Sequence, residues 1–223
     1  MSKENGKTVP MNWKPQQKIV FLGDSITDAQ RQESPYAPLG RGYVQFAGCF
    51  LQARFPHLDL QIENRGISGD TTRELLSRWK RDCLDLQPDL VSILIGINDL
   101  WRGFKPVLDP QKTPVSPKEY EDNLCQMLSG VQRLGSRLVL MEPVYFCRDS
   151  QDPMRRGLDA YLEVVRRLAQ DWGAVLVPLQ QAYEQIMHQV PDERWSDDKI
   201  HPALWAHAWI ARQWLSAVLG TDR

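Results

Sequence analysis

Five short runs rich in apolar and β-branched residues, separated by longer stretches with helical spacing, constrain this chain more than any other feature of it. They are Lys18–Leu22, Leu60–Asn64, Leu90–Ile95, Leu138–Met141 and Ala174–Val177. Alternation of this kind predicts a parallel sheet, because each parallel crossover needs a helix and each helix needs an apolar surface to cover. Leu90-Val91-Ser92-Ile93-Leu94-Ile95 is apolar almost throughout, as expected of a central strand buried on both faces. The fold class expected is α/β, three-layer α/β/α around a five-stranded parallel sheet; if its order is 2-1-3-4-5, the first strand lies between the second and the third.

The helices have readable ends. Tyr43, Ala47, Phe50 and Arg54 follow one helix face until Pro56 stops the pattern. Thr71–Glu74 and Ser116–Glu119 both read as capping boxes, the second with Pro117 at the first helical position. Another helix runs from about Pro153 to Trp172 and ends at Gly173, and Leu204, Ala208, Ala211, Leu215 and Val218 form the stripe of a last helix. A length of 223 residues suits one core, so a single domain over 18–223 is expected after a polar extension over 1–17. Lys105–Pro117 carries four prolines and directly follows a candidate site; it reads either as a pocket cover or as a stiffened surface loop.

Composition narrows the function. With 27 basic and 28 acidic residues the net charge is -1, which excludes the basic field of a general nucleic-acid binder. No run reaches the ~18 apolar residues of a membrane span. The first 17 residues hold no apolar core of a signal peptide, and a cytoplasmic location is expected. Cys49, Cys83, Cys125 and Cys147 are widely spaced, without a C-x-x-C pair, and read as reduced thiols. Neither a P-loop nor a G-x-G-x-x-G fingerprint is present and no cofactor is expected, while the near-zero net charge fits an uncharged or weakly charged small-molecule substrate.

In an open parallel sheet, binding groups gather beyond the carboxyl ends of the strands. Gly23-Asp24-Ser25-Ile26-Thr27, Asn64-Arg65-Gly66 and Gly96-Ile97-Asn98-Asp99 stand at three such ends, and Asp198-Lys199-Ile200-His201-Pro202 precedes the last helix. Each alone has a plain structural reading: a helix cap, a turn, a helix start. Together they contain what acyl transfer needs. Ser25 can attack, His201 can take its proton, and Asp198, three residues away, can hold the imidazole tautomer, with Asp197 its rival. The backbone N–H groups of Ser25 and Gly66 and the side-chain amide of Asn98 are candidate oxyanion donors. Trp101 and Phe104 follow Asn98 and are candidate walls of an acyl or sugar pocket. His57, His188 and His207 are expected to be solvated or satisfied, His207 on a different helix face from His201. Trp195, Trp205, Trp209 and Trp214 read as packing, and Arg155, Arg156, Arg166 and Arg167 as a solvated helix face.

In order and residue type the four clusters resemble the signature blocks of the SGNH (GDSL) hydrolases, over positions 18 to 219. The resemblance implies a flavodoxin-like α/β/α esterase without a metal, with Ser25, Asp198 and His201 as triad and Ser25, Gly66 and Asn98 as oxyanion hole. It also implies substrates among acyl esters, thioesters, lysophospholipids or acetylated sugars. A small-molecule ester, of short acyl chain or a sugar acetate, is the expected substrate. The alternatives are a thioesterase or lysophospholipase of the same fold, or a non-catalytic flavodoxin-like module that binds a small anion. An α/β-hydrolase is disfavoured by the lack of a G-x-S-x-G elbow.

Overall fold

A computed structural model of the chain describes residues 13–104 and 113–220. The five strands β1 (Lys18–Gly23), β2 (Gln61–Gly66), β3 (Leu90–Leu94), β4 (Arg137–Met141) and β5 (Val175–Val177) form one parallel sheet of order β2-β1-β3-β4-β5, as expected. The helices are α1 (Ser25–Asp28), α2 (Tyr43–Arg54), α3 (Thr72–Ser77), α4 (Trp79–Asp82), α5 (Ile97–Trp101), α6 (Pro117–Leu134), α7 (Pro153–Asp171), α8 (Leu179–Ile186), α9 (Asp192–Trp195) and α10 (Leu204–Leu219). In register, Gly23 at the end of β1 pairs with Gly66 of β2 and Leu94 of β3. The loops leaving these three strands therefore start at one level, side by side.

Every residue of β3 is buried, which is why its sequence lacks alternation. On one face α2 and α10 pack through Phe21, whose ring meets Tyr43 edge-on at 5.8 Å and Trp214 at 5.0 Å. Trp214 Nε1 donates to Ser92 Oγ at 3.0 Å, so the one hydroxyl of β3 and a buried indole satisfy each other. On the other face Trp79 Nε1 donates to the Met127 carbonyl at 3.1 Å, tying α4 to α6, and Tyr120 meets Tyr161 at 5.2 Å between α6 and α7.

Several local expectations change. The buried face of α2 is Tyr43, Val44, Ala47, Gly48 and Leu51; Phe50 lies at the edge of that stripe and is 46 % exposed. In α10 the core face is Ala206, Trp209, Ile210, Ala211, Trp214 and Val218, whereas Leu204 and Ala208 are exposed. That helix is apolar on nearly every side, so its sequence allows more than one stripe to be drawn. Thr71 and Glu74 form the full capping box of α3. Ser116 caps α6 by accepting the Glu119 N–H, but the Glu119 carboxylate turns away to pair with Arg73, so the second box is half formed. Arg155 and Arg166 are not merely solvated: they reach the carboxylates of Glu184 and the fully buried Glu142. Residues 13–17 pack on the domain through Trp13 against Phe55, and the Gln16 N–H donates to the Leu58 carbonyl. Most of the Lys105–Pro117 segment, 105–112, lies outside the described residues.

Candidate active site

Ser25 opens α1 immediately after β1. The Asp24 carboxylate caps that turn by accepting the Ile26 N–H at 3.0 Å. Gly23 has to be glycine, since a Cβ there would lie 2.2 Å from the Leu94 carbonyl oxygen and 2.3 Å from Thr27 Oγ1. Serine at the first helical position keeps a backbone N–H that the helix cannot use. No partner is found for it among the described residues.

At the end of β2, Asn64 is a structural anchor. Its amide donates to the Thr27 and Leu39 carbonyls, each at 2.7 Å, and its Oδ1 accepts the Gly66 N–H at 2.9 Å. Gly66 therefore does not fit its expected place as an oxyanion donor: its N–H is engaged and the residue is buried. Its missing side chain serves the packing of α1, because a Cβ would sit 2.2 Å from the Asp28 nitrogen. Gly69, three residues on, is exposed at φ +84, with open space around it. Its carbonyl accepts from Arg102 at 2.7 Å, and its N–H has no partner among the described residues. Ser68 beside it is tied to Asp28 of α1 by two hydrogen bonds, 3.2 Å from the backbone and 2.9 Å from the hydroxyl.

Asn98 lies in the first turn of α5, after Gly96 at φ +128, where a Cβ would press on the Tyr120 ring at 2.9 Å. One Asn98 amide proton goes to the Asp70 carbonyl at 3.0 Å, which leaves the other without a partner among the described residues. Asp99 accepts the Thr72 N–H at 3.1 Å and its hydroxyl at 2.5 Å, joining the third loop to α3. Arg78 lies beneath these loops. It donates to Asp70 Oδ2 at 2.7 Å, the Arg65 carbonyl at 2.7 Å, Asp82 Oδ2 at 2.9 Å and the Gly23 carbonyl at 3.2 Å. One buried guanidinium thus links the ends of β1 and β2 to the loop that carries Gly69.

From the other end of the chain, His201 Nε2 comes within 2.9 Å of Ser25 Oγ, and His201 Nδ1 within 2.6 Å of Asp198 Oδ2. Asp198 Oδ1 accepts three further hydrogen bonds, from Ser196 Oγ at 3.0 Å, the Ile200 N–H at 2.9 Å and the His201 N–H at 2.8 Å. Partial burial works against the charge, but these donors and the imidazole outweigh it and hold the carboxyl well below the usual range. Lys199 accepts a left-handed φ of +67 to close this turn, and its carbonyl is held by the Phe146 N–H at 2.9 Å. The imidazole is hydrogen-bonded to Asp198, and among the described residues no hydrogen bond joins it to Asp197.

Two clefts meet at Asp198. One, of about 250 Å³, is walled by Trp101, Phe104, Tyr145, Pro153, Met154 and Ile200. Trp101 and Phe104 thus stand where the sequence suggested, beside the site. The other, of about 380 Å³, is lined by Arg41, Asp197, His201, Pro202, Leu204 and His207. His207 faces the same space as His201 because α10 begins only at Leu204, so helical spacing does not relate the two rings. Trp195, Trp209 and Trp214 are packed in the core, and Trp205 leans on Trp195 at 4.4 Å. His57 and His188 are exposed. No group of three or more potential metal ligands occurs among the described residues.

A model of the GDSL-like lipase/acylhydrolase family matches residues 21–209. The chain belongs to this family. An acetylxylan esterase of Geobacillus stearothermophilus is 36% identical over 206 residues, covering 91% of this chain and 94% of the relative. Its crystal structure superposes with a TM-score of 0.88 at 35% identity, over 95% of this chain and 98% of the other. An arylesterase of Vibrio mimicus is 28% identical over 197 residues, 87% of this chain and 84% of the relative. A hydrolase from the metagenome of Lake Arreo, Spain, gives a TM-score of 0.86 at 35% identity, over 94% and 99% of the two chains. The protein is thus an ester hydrolase of the GDSL/SGNH type.

The GDSL hydrolase buries two carboxyls beneath its site. Burial pushes Asp24 up to about 7, with the charges of Asp99 and Asp70 adding to it, and burial pushes Asp99 up to about 6. Both bind a proton more tightly in the folded protein than in the unfolded chain, where the ordinary value is 3.8. Their favourable contribution is complete below about pH 4 and is lost as pH rises through about 6 to 7. Asp24→Asn keeps the cap oxygen and removes the charge. Its stability relative to the parent is expected to rise between about pH 5 and about pH 8, by up to about 3 kcal/mol. Thermal unfolding at the two pH values measures this, and a gap that does not widen contradicts it.

Proposed function

We propose that this hydrolase removes short acyl groups from small alcohols, sugar acetates among them, through a Ser25–His201–Asp198 triad. The observation that carries the reading is the 2.9 Å approach of Ser25 Oγ to His201 Nε2, with the Asp198 carboxylate on the opposite ring nitrogen. Ser25 Oγ attacks the ester carbonyl while its proton passes to Nε2. The C–O bond to the alcohol then breaks, and the alcohol leaves with that proton. Water repeats the sequence on the acyl-serine and releases the acid. Throughout, Asp198 keeps the Nδ1 proton in place and stabilises the imidazolium.

The negative oxygen formed at each attack is received by the Ser25 N–H, the Gly69 N–H and the Asn98 amide. This set replaces the Gly66 N–H, which Asn64 occupies. Arg102 on the Gly69 carbonyl and Asp70 on the Asn98 amide hold the donors before substrate arrives, which is the condition for electrostatic catalysis. The order of residues is supported by the G. stearothermophilus esterase, whose structures include catalytic mutants at a serine, an aspartate and a histidine.

The short acyl preference is supported by the small size of the cleft beside Asp198, about 250 Å³. The sugar acetate reading is supported by the acetylxylan esterase relative. A panel of p-nitrophenyl esters from acetyl to palmitoyl, together with an acetylated xylose, tests both. The value of kcat/KM is expected to peak at acetyl to butyryl and to fall at least about tenfold by octanoyl. An optimum at long chains would instead favour the lysophospholipase reading.

A further inference from the structure

The cleft between the His201 ring and the start of α10 has in its wall a hydrogen-bond donor that the triad does not use. His207 is 8% exposed. Its Nδ1 accepts the Tyr43 N–H at 3.3 Å. Burial pulls the imidazole down to about 4, with Arg41 and His201 adding to it, so the ring is neutral at ordinary pH. A neutral imidazole whose Nδ1 accepts carries its proton on Nε2. That N–H has no partner among the described residues, and the ring lines the cleft. Ligand clefts fix their occupants through a few polar groups on the wall, and a donor left open to the cleft is available to an accepting group of a bound molecule.

Arg41 stands beside it. Its backbone N–H is anchored on the Ala29 carbonyl at 2.8 Å, between Gly40 at φ +81 and Gly42. Gly42 leaves room for the imidazole, since a Cβ there would lie 3.1 Å from the His207 ring. Asp197 and the apolar residues Pro202, Ala203 and Leu204 also line the cleft.

We propose that this cleft is the subsite for the alcohol half of the ester, and that the alcohol it is built for is a pyranoside. The proposal rests on the esterase mechanism above: His201 returns its proton to the leaving oxygen, so the leaving group must lie against the His201 ring, and this cleft has that ring in its wall. The lining mixes donors, His207 Nε2–H and the Arg41 guanidinium, with an acceptor, Asp197, and an apolar edge. A sugar ring offers the matching set, hydroxyls that accept and donate and a C–H face for Leu204 and Pro202. A plain alkyl alcohol leaves His207 unmet, an anion meets Asp197 and Asp198, and a cation meets Arg41.

The test compares the parent with Arg41→Ala, His207→Asn and His207→Gln on two esters: p-nitrophenyl acetate, whose leaving group has no sugar hydroxyls, and an acetylated methyl xylopyranoside. Asparagine places an acceptor where Nδ1 meets Tyr43 and removes the donor in the cleft. Glutamine restores a donor near the Nε2 position. The ratio of kcat/KM for the sugar ester to that for the phenyl ester is expected to fall about tenfold in Arg41→Ala and His207→Asn, through KM, and to recover in His207→Gln. Arg41 is exposed, so its variant carries the test if the asparagine protein does not fold. An unchanged ratio in a parent active on both esters overturns the subsite and leaves the esterase reading standing. A parent inactive on both overturns the esterase reading. The subsite is then judged by saturation-transfer NMR of methyl xylopyranoside on the Ser25→Ala protein with and without Arg41→Ala. Binding that Arg41→Ala removes supports it, and no binding, or binding that Arg41→Ala leaves intact, overturns it.

Discussion

Ser25→Ala is expected to lower hydrolysis of p-nitrophenyl acetate by about 10^4-fold or more, with circular dichroism and melting temperature close to those of the parent. The serine hydroxyl has one partner, His201 Nε2, and no structural bond depends on it. Its backbone position at the start of α1 suits alanine as well as serine. The loss is therefore one of chemistry, since no other hydroxyl in the described site sits on the imidazole. A fluorophosphonate probe should label the parent at Ser25 and fail to label the variant. A variant that kept even a tenth of the parent rate would remove Ser25 from the reaction, and a parent that the probe does not label would reopen the small-anion binding module as a reading of the fold.

The second large effect is expected at Asp198, from a change of a single atom. In Asp198→Asn the side chain has one acceptor oxygen and one amide nitrogen to place. Ser196 Oγ and the Ile200 and His201 N–H groups all donate to Oδ1, so the oxygen must remain there. The NH2 group then faces His201 Nδ1, which can only accept from it. The imidazole proton moves to Nε2, and a ring protonated at Nε2 cannot take the Ser25 proton. A fall in kcat of about 10^4-fold is expected with little change in KM, because ester binding does not involve the Nδ1 side of the ring. Retained kcat in a correctly folded variant would mean that Asp198 does not set the tautomer.

Much of this arrangement was legible because it is local or periodic. Strand β3 announces its burial by lacking alternation, and the spacing from Asp198 to His201 is short enough for one tight turn to bring the carboxylate to the imidazole. Ser25 and Asn98 were legible because the doubly wound topology brings strand ends together whatever the loops between them do. What was not legible is how a loop folds after it leaves the sheet. Asn64 was expected as part of a polar cluster, but its side chain binds the Gly66 N–H and so transfers the open position to Gly69. The glycine before the Thr71 cap was the available signal, since a left-handed residue there turns the chain into α3. Arg78 and Arg102 gave no signal, because an arginine carries no spacing rule that separates a buried clamp from a solvated side chain. His207 was misplaced because the helix was counted from His201, whereas the backbone becomes helical only at Leu204.

The two groups on either side of the His201 imidazole differ sharply in how they are brought to it. Asp198 shares its turn, three residues away in the chain, while Ser25 lies 176 residues away. The contact between hydroxyl and imidazole therefore depends on one long-range event, the docking of the segment after β5 against the end of β1. Recovery of turnover during refolding should report on that docking.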